Sequence, residues 1–307
     1  MNPPLPNLIV FGYGHPLYAA SFQGISQPIE LKRSGAWILK RKINGTSNND
    51  AMGCYPLFCC RDWSSLKQDF EALNKSIFTL AVVTDPFGEY KYENLKNTFN
   101  HIATPYKEHF VIDLSQDPQN YISSHHQRNA RKALKNVRVE PSSQPEPLAK
   151  TWVKLYQHLI QRHEIEGIAA FSAQALTDHL AVPGIKVFCA MEGSSVIGMM
   201  LWYVQQEVAY YHLAAYTDRG YELKASFALF QNAIDHFSAT GLSWISLGAG
   251  AGVEGDATDG LSRFKQGWST GTRLAYFCGH VFDQERYAKL LKERRVEEGR
   301  FFPAYRA

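Results

Sequence analysis

The sequence lacks the features that mark a membrane protein, a secreted protein or a disulfide-rich protein. None of its hydrophobic runs approaches the length of a membrane-spanning helix. The N-terminus has no positively charged segment ahead of an apolar core of signal-peptide length. The cysteines include an adjacent pair and lack any repeated spacing; they are Cys54, Cys59, Cys60, Cys189 and Cys278. We therefore expect a cytoplasmic protein with reduced thiols and no membrane span.

The histidines and the net charge argue against two further classes. Among the 11 histidines, His125 and His126 are adjacent and His158 and His163 are five apart, without a His-Glu-x-x-His or Cys-x-x-Cys motif to support them. We therefore expect no metal site. A formal net charge of +3 over 307 residues does not predict that the whole chain binds nucleic acid, so any basic site must be local.

The pattern of apolar residues predicts an α/β protein with two domains. In the first half, apolar runs and turn residues predict strands at 8–11, 28–33, 36–43, 54–60, 77–84 and 109–114, helices from Asp62 to about residue 76 and at 92–99, and a loop at 44–53. In the second half they predict helices at 148–166, 171–180 and 224–240, and strands at 185–191, 196–204, 208–215, 244–247 and 273–282. The proline-rich segment 141–147 is the best candidate linker.

The chain is organised around the stretch 247–268. An apolar strand ends in glycines at 248, 250 and 252, and an acidic turn with Asp256 and Asp259 follows. Asp259 is placed to cap a short helix in which Leu261, Phe264 and Trp268 recur at helical spacing. Lys265 lies beside Phe264, so the stretch is suited to hold a positive charge near a reacting carbonyl group. A solvated lysine after an ordinary glycine turn is the alternative interpretation.

This stretch resembles a known signature. Leu-Gly-x-Gly followed by Asp-Gly-Leu-x-x-Phe-Lys-x-Gly-Trp is similar to the C-terminal signature of FemAB-like acyltransferases, a branch of the GNAT superfamily that includes aminoacyl-tRNA-dependent peptidyltransferases. The resemblance implies a mixed sheet with flanking helices, in tandem GNAT-like units of which the first is degenerate. We expect these units at residues 1–140 and 141–282. We expect a C-terminal helix in 283–307 to pack on the first unit.

A local basic helix is predicted at residues 128–138. Arg128, Arg131, Lys132 and Lys135 fall on one helical face, and the apolar Ala130, Ala133, Leu134 and Val137 fall on the other. The Arg-Asn-x-Arg-Lys pattern also resembles the FemAB-like proteins. The stripe suits the phosphates of tRNA, of a nucleotide-linked substrate or of coenzyme A. We expect Arg128, Arg131 and Lys132 to bind substrate, and the alternative is a solvated helix face.

The resemblance also implies where a donor binds. In acetyl-CoA-dependent GNAT enzymes a strand offers backbone groups to the pantetheine, and the following helix N-terminus cradles the pyrophosphate. The residues implied here are Ala214, Ala215, Tyr216, Gly220, Lys224, Ala225 and Ser226. Counted from Arg219, this sequence departs from the usual coenzyme A fingerprint at two positions. Glu222 stands where the fingerprint has glycine, and Lys224 stands where it has a small residue. A carboxylate beside a pyrophosphate is electrostatically unfavourable, so the acetyl-CoA donor is in doubt.

The catalytic candidates follow from the same comparison. Carried over from the Phe-Lys of the signature, Lys265 is the expected partner of the oxyanion, and Phe264 packs to hold the segment. Tyr211 and His212 are the candidates for proton transfer, although strand alternation places Tyr210 and His212 on one face and Tyr211 on the other. A core histidine is the alternative for His212, and Trp202 is expected either to line a substrate pocket or to fill the core.

We therefore expect an N-acyltransferase of the FemAB-like GNAT type. It would move an acyl or aminoacyl group from a thioester or ester donor to a small-molecule or peptide amine by direct attack. The donor would be an acyl-CoA such as acetyl-CoA or, alternatively, an aminoacyl-tRNA. A non-catalytic module that binds a nucleotide-like ligand on a GNAT scaffold is the alternative from another class. The sequence does not predict the acceptor or the oligomeric state.

Overall fold

The computed structural model describes residues 10–73, 77–250, 259–297, 299 and 301–306. The chain divides into two compact units. One comprises residues 1–17 and 108–273 and is called the 108–273 unit. The other comprises residues 18–107 and 274–307 and is called the 18–107 unit.

Strands and helices alternate along both units. The strands are β1 (Gln27–Leu31), β2 (Ala36–Lys42), β3 (Asn49–Gly53), β4 (Thr79–Val83), β5 (Ile102–Asp113), β6 (Arg138–Ser142), β7 (Ile185–Glu192), β8 (Ser195–Gln205), β9 (Val208–Tyr216), β10 (Trp244–Gly248) and β11 (Gly271–Val281). The helices are α1 (Pro16–Ala20), α2 (Leu66–Leu73), α3 (Tyr92–Thr98), α4 (Pro118–Tyr121), α5 (Ser124–Ala133), α6 (Ala149–His163), α7 (Ala173–His179), α8 (Asp218–Glu222), α9 (Ala225–Ser238), α10 (Gly260–Gln266) and α11 (Gln284–Arg294).

The 108–273 unit is a mixed sheet flanked by helices, as predicted for the fold class. Its strand order is β5-β10-β9-β8-β7-β6. Every neighbouring pair is antiparallel except β9 and β10, which are parallel. A parallel pair requires a crossover connection, and α8 and α9 supply it. The apolar face of α9 packs into the core with Trp202 and Trp268, and its buried members are Leu229, Phe230, Ala233, Ile234 and Phe237, as the periodicity predicts.

The 18–107 unit has the same plan on a smaller scale. Its strand order is β1-β2-β3-β4-β11, and only β3 and β4 are parallel, with α2 in the crossover. Helix α11 packs through Tyr287, Leu290 and Leu291 on a cluster that includes Ile43 and Phe78. The C-terminal helix therefore contacts residues of the segment 1–140.

The boundaries of the two units differ from those expected at residues 140 and 282. The chain enters the 108–273 unit within β5 and leaves it within β11, so the boundaries fall inside strands and not in the proline-rich segment 141–147. Part of that segment pairs with β7 as β6, and Glu146–Leu148 forms a 3-10 turn. Local composition shows where turns lie, whereas compact units are set by contacts between distant residues.

Several local predictions need correction. The loop expected at 44–53 contains β3, and the strand expected at 54–60 is reduced to a single bridge from Phe58 to Thr84. The sequence predicted a loop at β3 because the strand contains polar residues. Its Asp50 is nevertheless buried, because Arg41 and Arg306 neutralise the carboxylate. Leu134 was expected on the buried face of its helix but is 43% exposed, because α5 ends at Ala133. For the strand expected at 8–11, residues 8 and 9 lie outside the described residues and residues 10 and 11 are not in a strand.

Candidate active site

The parallel strands β9 and β10 diverge near the middle of the 108–273 unit. Their pairing runs from Trp244 with Val208 to Ser246 with Tyr210, whereas β9 continues to Tyr216. Strand β10 ends at Gly248, whose φ of 75° lies in the left-handed region that glycine adopts freely. In the described part of the chain, no strand pairs with β9 on this side beyond Tyr210. The region between these strand ends is called the β9–β10 cleft.

Lys265 of α10 lies at the β9–β10 cleft. Lys265 is buried, with a relative exposure of 5%. The ammonium Nζ donates a hydrogen bond of 2.6 Å to the Ala249 carbonyl oxygen and lies 5.5 Å from the centre of the Tyr211 ring. A Cβ atom at Gly248 would stand 3.3 Å from Nζ. A buried ammonium group needs such partners, and the carbonyl dipole and the aromatic face provide them.

The structure brings Tyr211 to Lys265. The Tyr211 ring packs edge-on against Trp202, with 5.3 Å between centroids, and it also contacts Phe230. Burial, with a smaller contribution from Tyr221, raises the pKa of Tyr211 above its ordinary range. The hydroxyl group is therefore protonated at neutral pH. Trp202 itself is fully buried in the core of the unit, with Phe237 on its other side.

The structure does not bring His212 to Lys265. A shift of register between β8 and β9 at Leu201 and Trp202 sets His212 out of step with its neighbours. Its ring lies against His179 and Tyr13, with 3.2 Å between its Nε2 and His179 Nδ1 and 3.3 Å between its Nδ1 and the Tyr13 hydroxyl. Burial and the nearby His179 lower the pKa of His212 well below its ordinary value. Tyr13 also packs on Tyr210, so the predicted division of faces is confirmed.

The residues implied for donor binding lie on β9, α8 and α9. Ala214, Ala215 and Tyr216 are buried at the end of β9. Gly220 packs so closely that a Cβ atom would come within 2.2 Å of the Ile197 carbonyl oxygen. Ala225 and Ser226 open α9, where backbone amide groups lack helical acceptors.

The two positions that depart from the coenzyme A fingerprint, Glu222 and Lys224, each make a defined contact in the structure. The Arg219 guanidinium contacts Glu192 at 2.6 Å and Glu222 at 3.0 Å, so its charge is neutralised on the surface of α8. Lys224 adopts the left-handed conformation with a φ of 58°, which is typical of glycine. Its Nζ donates a hydrogen bond of 2.6 Å to Oδ1 of Asn129 on α5.

Helix α5 presents the predicted basic face. Arg128, Arg131, Lys132 and Lys135 are exposed, and none has an ion pair within the described residues. Ala130 and Ala133 are buried on the opposite side. A shallow groove of about 220 Å³ borders this face, lined by Pro118, Gln119, Ile122, Gln127, Arg131 and Gln231.

Two residues of the site were missed in the sequence. His126 and Asn129 are each 6% exposed on the inner face of α5. His126 was considered only as a metal ligand beside His125. The spacing His126, Ala130, Ala133 is helical, so it places the histidine on the buried face and was a usable signal.

One catalytic motif in the sequence has the wrong structural context. Residues 267–271 read Gly-Trp-Ser-Thr-Gly, which matches the Gly-x-Ser-x-Gly pattern of the hydrolase nucleophile elbow. That elbow leads from a strand into a helix, whereas here α10 precedes the motif and β11 follows it. The Ser269 hydroxyl donates to the Gln266 carbonyl oxygen at the end of α10. The motif therefore closes a helix and does not form an elbow.

Searches of the described residues for two other kinds of feature give no candidate. Among these residues, His, Cys, Asp and Glu side chains nowhere gather in a group of three able to hold a metal ion. Within the same residues, no helix has both the length and the apolar character needed to cross a membrane. All five cysteines are free thiols. The predicted turn residues Gly252 and Asp256 lie outside the described part of the chain.

Comparison with known proteins gives a match of part of the chain to a family model, and a fold. Residues 123–266, from the cap of α5 to the end of α10, match the family model of the acetyltransferase (GNAT) domain. A search of curated proteins finds no match. The structure is similar to that of FemX, with a TM-score of 0.62, 14% identity, and coverage of 90% of this chain and 93% of FemX.

Two further solved structures have the same fold. One is the C-terminal DUF2156 domain of an Agrobacterium fabrum protein assigned as a lysylphosphatidylglycerol synthetase, with a TM-score of 0.61, 14% identity, and coverage of 93% of this chain and 91% of that one. The other is L-PGS from Bacillus licheniformis, with a TM-score of 0.55, 12% identity, and coverage of 94% and 98%. The family match covers Lys265, Tyr211 and the residues implied for donor binding.

Proposed function

We propose that this chain is an acyltransferase that transfers an acyl or aminoacyl group to an amine at the β9–β10 cleft. The match of residues 123–266 to the acetyltransferase (GNAT) family model and the structural similarity to FemX support the proposal. The observation that carries the proposal is the buried Lys265 ammonium beside Tyr211. The acceptor is a small-molecule or peptide amine that attacks the donor carbonyl directly. A cytoplasmic location belongs to the same proposal.

Lys265 stabilises the negative charge that forms during transfer. Attack by a neutral amine converts the donor carbonyl to a tetrahedral intermediate with an oxyanion and a positively charged nitrogen. The intermediate then expels the thiolate or alkoxide of the donor, which takes up the proton that the nitrogen loses. The Lys265 ammonium is already held by the Ala249 carbonyl and the Tyr211 ring, so it needs no reorganisation when the charge develops. A preorganised donor of this kind contributes about 10²–10³-fold to the rate.

Tyr211 supports the charge of Lys265 and does not act as the base. Its raised pKa keeps the hydroxyl protonated at neutral pH. His212 contacts a different cluster, with His179 and Tyr13, and so it does not serve the cleft. The site therefore supplies positive charge, and the acceptor amine must arrive in its neutral form. The rate should rise with pH until the amine is fully deprotonated.

For the donor, the charges around α8 favour an aminoacyl ester carried on RNA over acyl-CoA. Arg219 is committed to Glu192 and Glu222, and the Glu222 carboxylate would repel a pyrophosphate. The exposed Arg128, Arg131 and Lys132 of α5 instead offer a surface for a phosphate backbone, in line with tRNA as the carrier. The lysylphosphatidylglycerol synthetase neighbour is named for a product that carries an aminoacyl group.

Acyl-CoA is the second candidate because one observation favours it. Lys224, at the small-residue position of the coenzyme A fingerprint, has a left-handed conformation that glycine adopts freely, and α9 opens directly after it at Ala225. The first amide groups of a helix bind phosphates. If acyl-CoA is the donor, the protein should bind coenzyme A; if aminoacyl-tRNA is the donor, it should not.

The 18–107 unit is, in this proposal, the degenerate member of a tandem pair. Each unit has antiparallel strands, one parallel pair with a helix in the crossover, and a further antiparallel strand. This shared order supports the two GNAT-like units expected from the sequence, with boundaries that follow the compact units.

The test separates donor binding from transfer. Purified protein is titrated with coenzyme A, acetyl-CoA and mixed aminoacyl-tRNA, and the melting temperature is recorded, since a ligand of the folded state raises it. Each donor is then incubated with a panel of amines, and new amides are detected by mass spectrometry. We expect a shift and amide formation with aminoacyl-tRNA, weakened by salt. Amide formation from acetyl-CoA would select the second donor, and no amide from either would contradict acyl transfer at this site.

A further inference from the structure

The last turn of α10, which carries Lys265, is held by a hydrogen bond from another helix. The last four carbonyl groups of a helix accept no hydrogen bond from the regular helical pattern, so each needs a donor from outside that pattern. The Arg263 carbonyl accepts from Gly267 N, the Lys265 carbonyl from Trp268 N, and the Gln266 carbonyl from Ser269 N. The Phe264 carbonyl accepts from the imidazole Nε2 of His126 on α5, at 2.9 Å.

The hydrogen bonds of His126 fix its tautomer. The Phe264 carbonyl oxygen can only accept, so Nε2 carries the proton. Nδ1 lies 2.7 Å from the Ser123 hydroxyl, and that hydroxyl accepts from the His126 backbone N–H as the cap of α5. The Ser123 hydroxyl therefore donates its proton to Nδ1. Burial lowers the pKa of His126, which favours this neutral form.

The contacts around His126 fix its ring as well as its proton. A Cβ atom at Gly267 would lie 2.1 Å from the imidazole, so only glycine permits this close approach. The ring packs on Trp268 with centroids 5.0 Å apart and on Phe264 with centroids 5.4 Å apart. Ser123 N also donates to the Gly267 carbonyl. The start of α5 and the end of α10 are therefore joined by two hydrogen bonds and by close packing.

We infer that His126 is a positioning residue for Lys265, which it holds at the β9–β10 cleft by satisfying the Phe264 carbonyl. The effect of His126 on catalysis rests on the proposed function, whereas its positioning of Lys265 does not depend on that function. Without this donor, the partly buried Phe264 carbonyl turns towards water and the last turn of α10 loosens. Lys265 lies in that turn, and its Nζ depends on the turn to reach Ala249 O.

The experiment compares two variants of opposite character. His126→Gln keeps an amide N–H that can reach the Phe264 carbonyl but removes the aromatic ring. His126→Phe keeps the ring and its packing but removes the donor. A positioning role through the hydrogen bond ranks glutamine above phenylalanine, whereas a packing role ranks phenylalanine above glutamine.

The first readout is the rate at which Lys265 is acetylated by acetic anhydride, followed residue by residue with mass spectrometry in the absence of any donor or acceptor. Lys289, whose side chain is 76% exposed on α11, is the internal control. We expect His126→Phe to raise the Lys265 rate about fivefold relative to Lys289, as the loss of one hydrogen bond predicts, and His126→Gln to leave it near the parent value. Equal rates in the parent and His126→Phe, or a larger increase in His126→Gln, would overturn the inference.

The second readout is transfer with the donor found active. His126→Phe should lower kcat with the donor KM unchanged, and His126→Gln should restore most of kcat. An unchanged kcat in His126→Phe would overturn the role in catalysis. If the parent protein transfers nothing, the proposed function fails, while the acetylation rates still decide whether His126 positions Lys265.

Discussion

The two parallel strand pairs of the chain differ in what lies at their ends. In the 18–107 unit, the seam between β3 and β4 is extended by Phe58, which bridges to Thr84 and whose N–H donates to the Val83 carbonyl. In the 108–273 unit, the seam between β9 and β10 stops at Tyr210 and Ser246, and Lys265 lies at the β9–β10 cleft. Among the described residues, the same arrangement is extended by an apolar residue in one unit and ends beside a cation in the other.

The difference shows why one unit is proposed as catalytic and the other as degenerate. Phe58 is fully buried, and a Cβ atom at Gly53 would lie 2.9 Å from its Cβ, so the β3–β4 seam is tightly packed. The β3–β4 seam gains stability from apolar burial, whereas the β9–β10 cleft offers backbone groups and charge to a substrate. The predictions below test this contrast.

The largest change in stability is expected from Phe58→Ala in the β3–β4 seam. Removing a fully buried aromatic side chain leaves a cavity, and the free energy of unfolding should fall by about 3–5 kcal/mol. Urea denaturation measures this loss. Phe301→Ala is the matched control, because Phe301 is 59% exposed and its removal should change the stability little. Equal effects of the two variants would contradict the packing assigned to Phe58.

Per pH unit, a smaller loss is expected when the pH falls, because of two buried histidines of the 108–273 unit. Burial lowers the pKa of His179 to about 3 and that of His212 well below 6.5, so both are neutral in the folded protein. Below about pH 6.5 the unfolded chain binds more protons, so stability should fall with pH by up to about 1.4 kcal/mol per unit for each group. The decline attributable to His179 ends near its folded pKa.

Urea denaturation between about pH 7 and pH 4.5 measures this slope. His179→Gln should make the decline shallower, whereas the same change at the exposed His163 should not. An identical slope in the parent and His179→Gln would show that the buried pair is not the source of the acid sensitivity.

A modest change in stability with a larger change in activity is expected from Gly248→Ala. A side chain at a φ of 75° costs about 1–2 kcal/mol, and its Cβ would stand 3.3 Å from the Lys265 ammonium. Amide formation should therefore fall by more than the melting temperature explains. Gly271→Ala is the control, since its Cβ would meet nothing within 4 Å. Full activity in Gly248→Ala would separate the glycine from the site.

The smallest effect is expected at the contact between Lys224 and Asn129. Asn129→Ala and Lys224→Ala should each lower the free energy of unfolding, and a double-mutant cycle should give a coupling of about 1 kcal/mol, the contribution of a typical hydrogen bond, because this contact is only partly buried. Additive effects of the two substitutions would show that the 2.6 Å contact does not contribute to stability.

Much of the 108–273 unit was predictable from the sequence, because its elements have regular periodicity. The face of α9 and the Asp259 cap of α10 lie where the pattern placed them. Strand β3 was not predictable, because its buried Asp50 is neutralised by Arg306, more than 250 positions away. Local patterns do not report such distant partners.

The candidate site was predictable only in part. Lys265 came from resemblance to a family signature, and the structure adds its burial and its contact with Tyr211. The positions of β9 and β10 in the sheet determine which residues contact Lys265, and His212 lies in another cluster, with His179. The link from His126 to the Phe264 carbonyl joins residues 138 positions apart and follows from tertiary structure alone.

The most direct test of the account is the single-turnover rate of amide formation by the parent, Lys265→Ala and Lys289→Ala, each saturated with the same donor and amine. We expect Lys265→Ala to be slower by about 10²–10³-fold while its melting temperature shows a folded protein, and Lys289→Ala to match the parent. A folded Lys265→Ala protein that forms amide at the parental rate would contradict a catalytic role for the β9–β10 cleft.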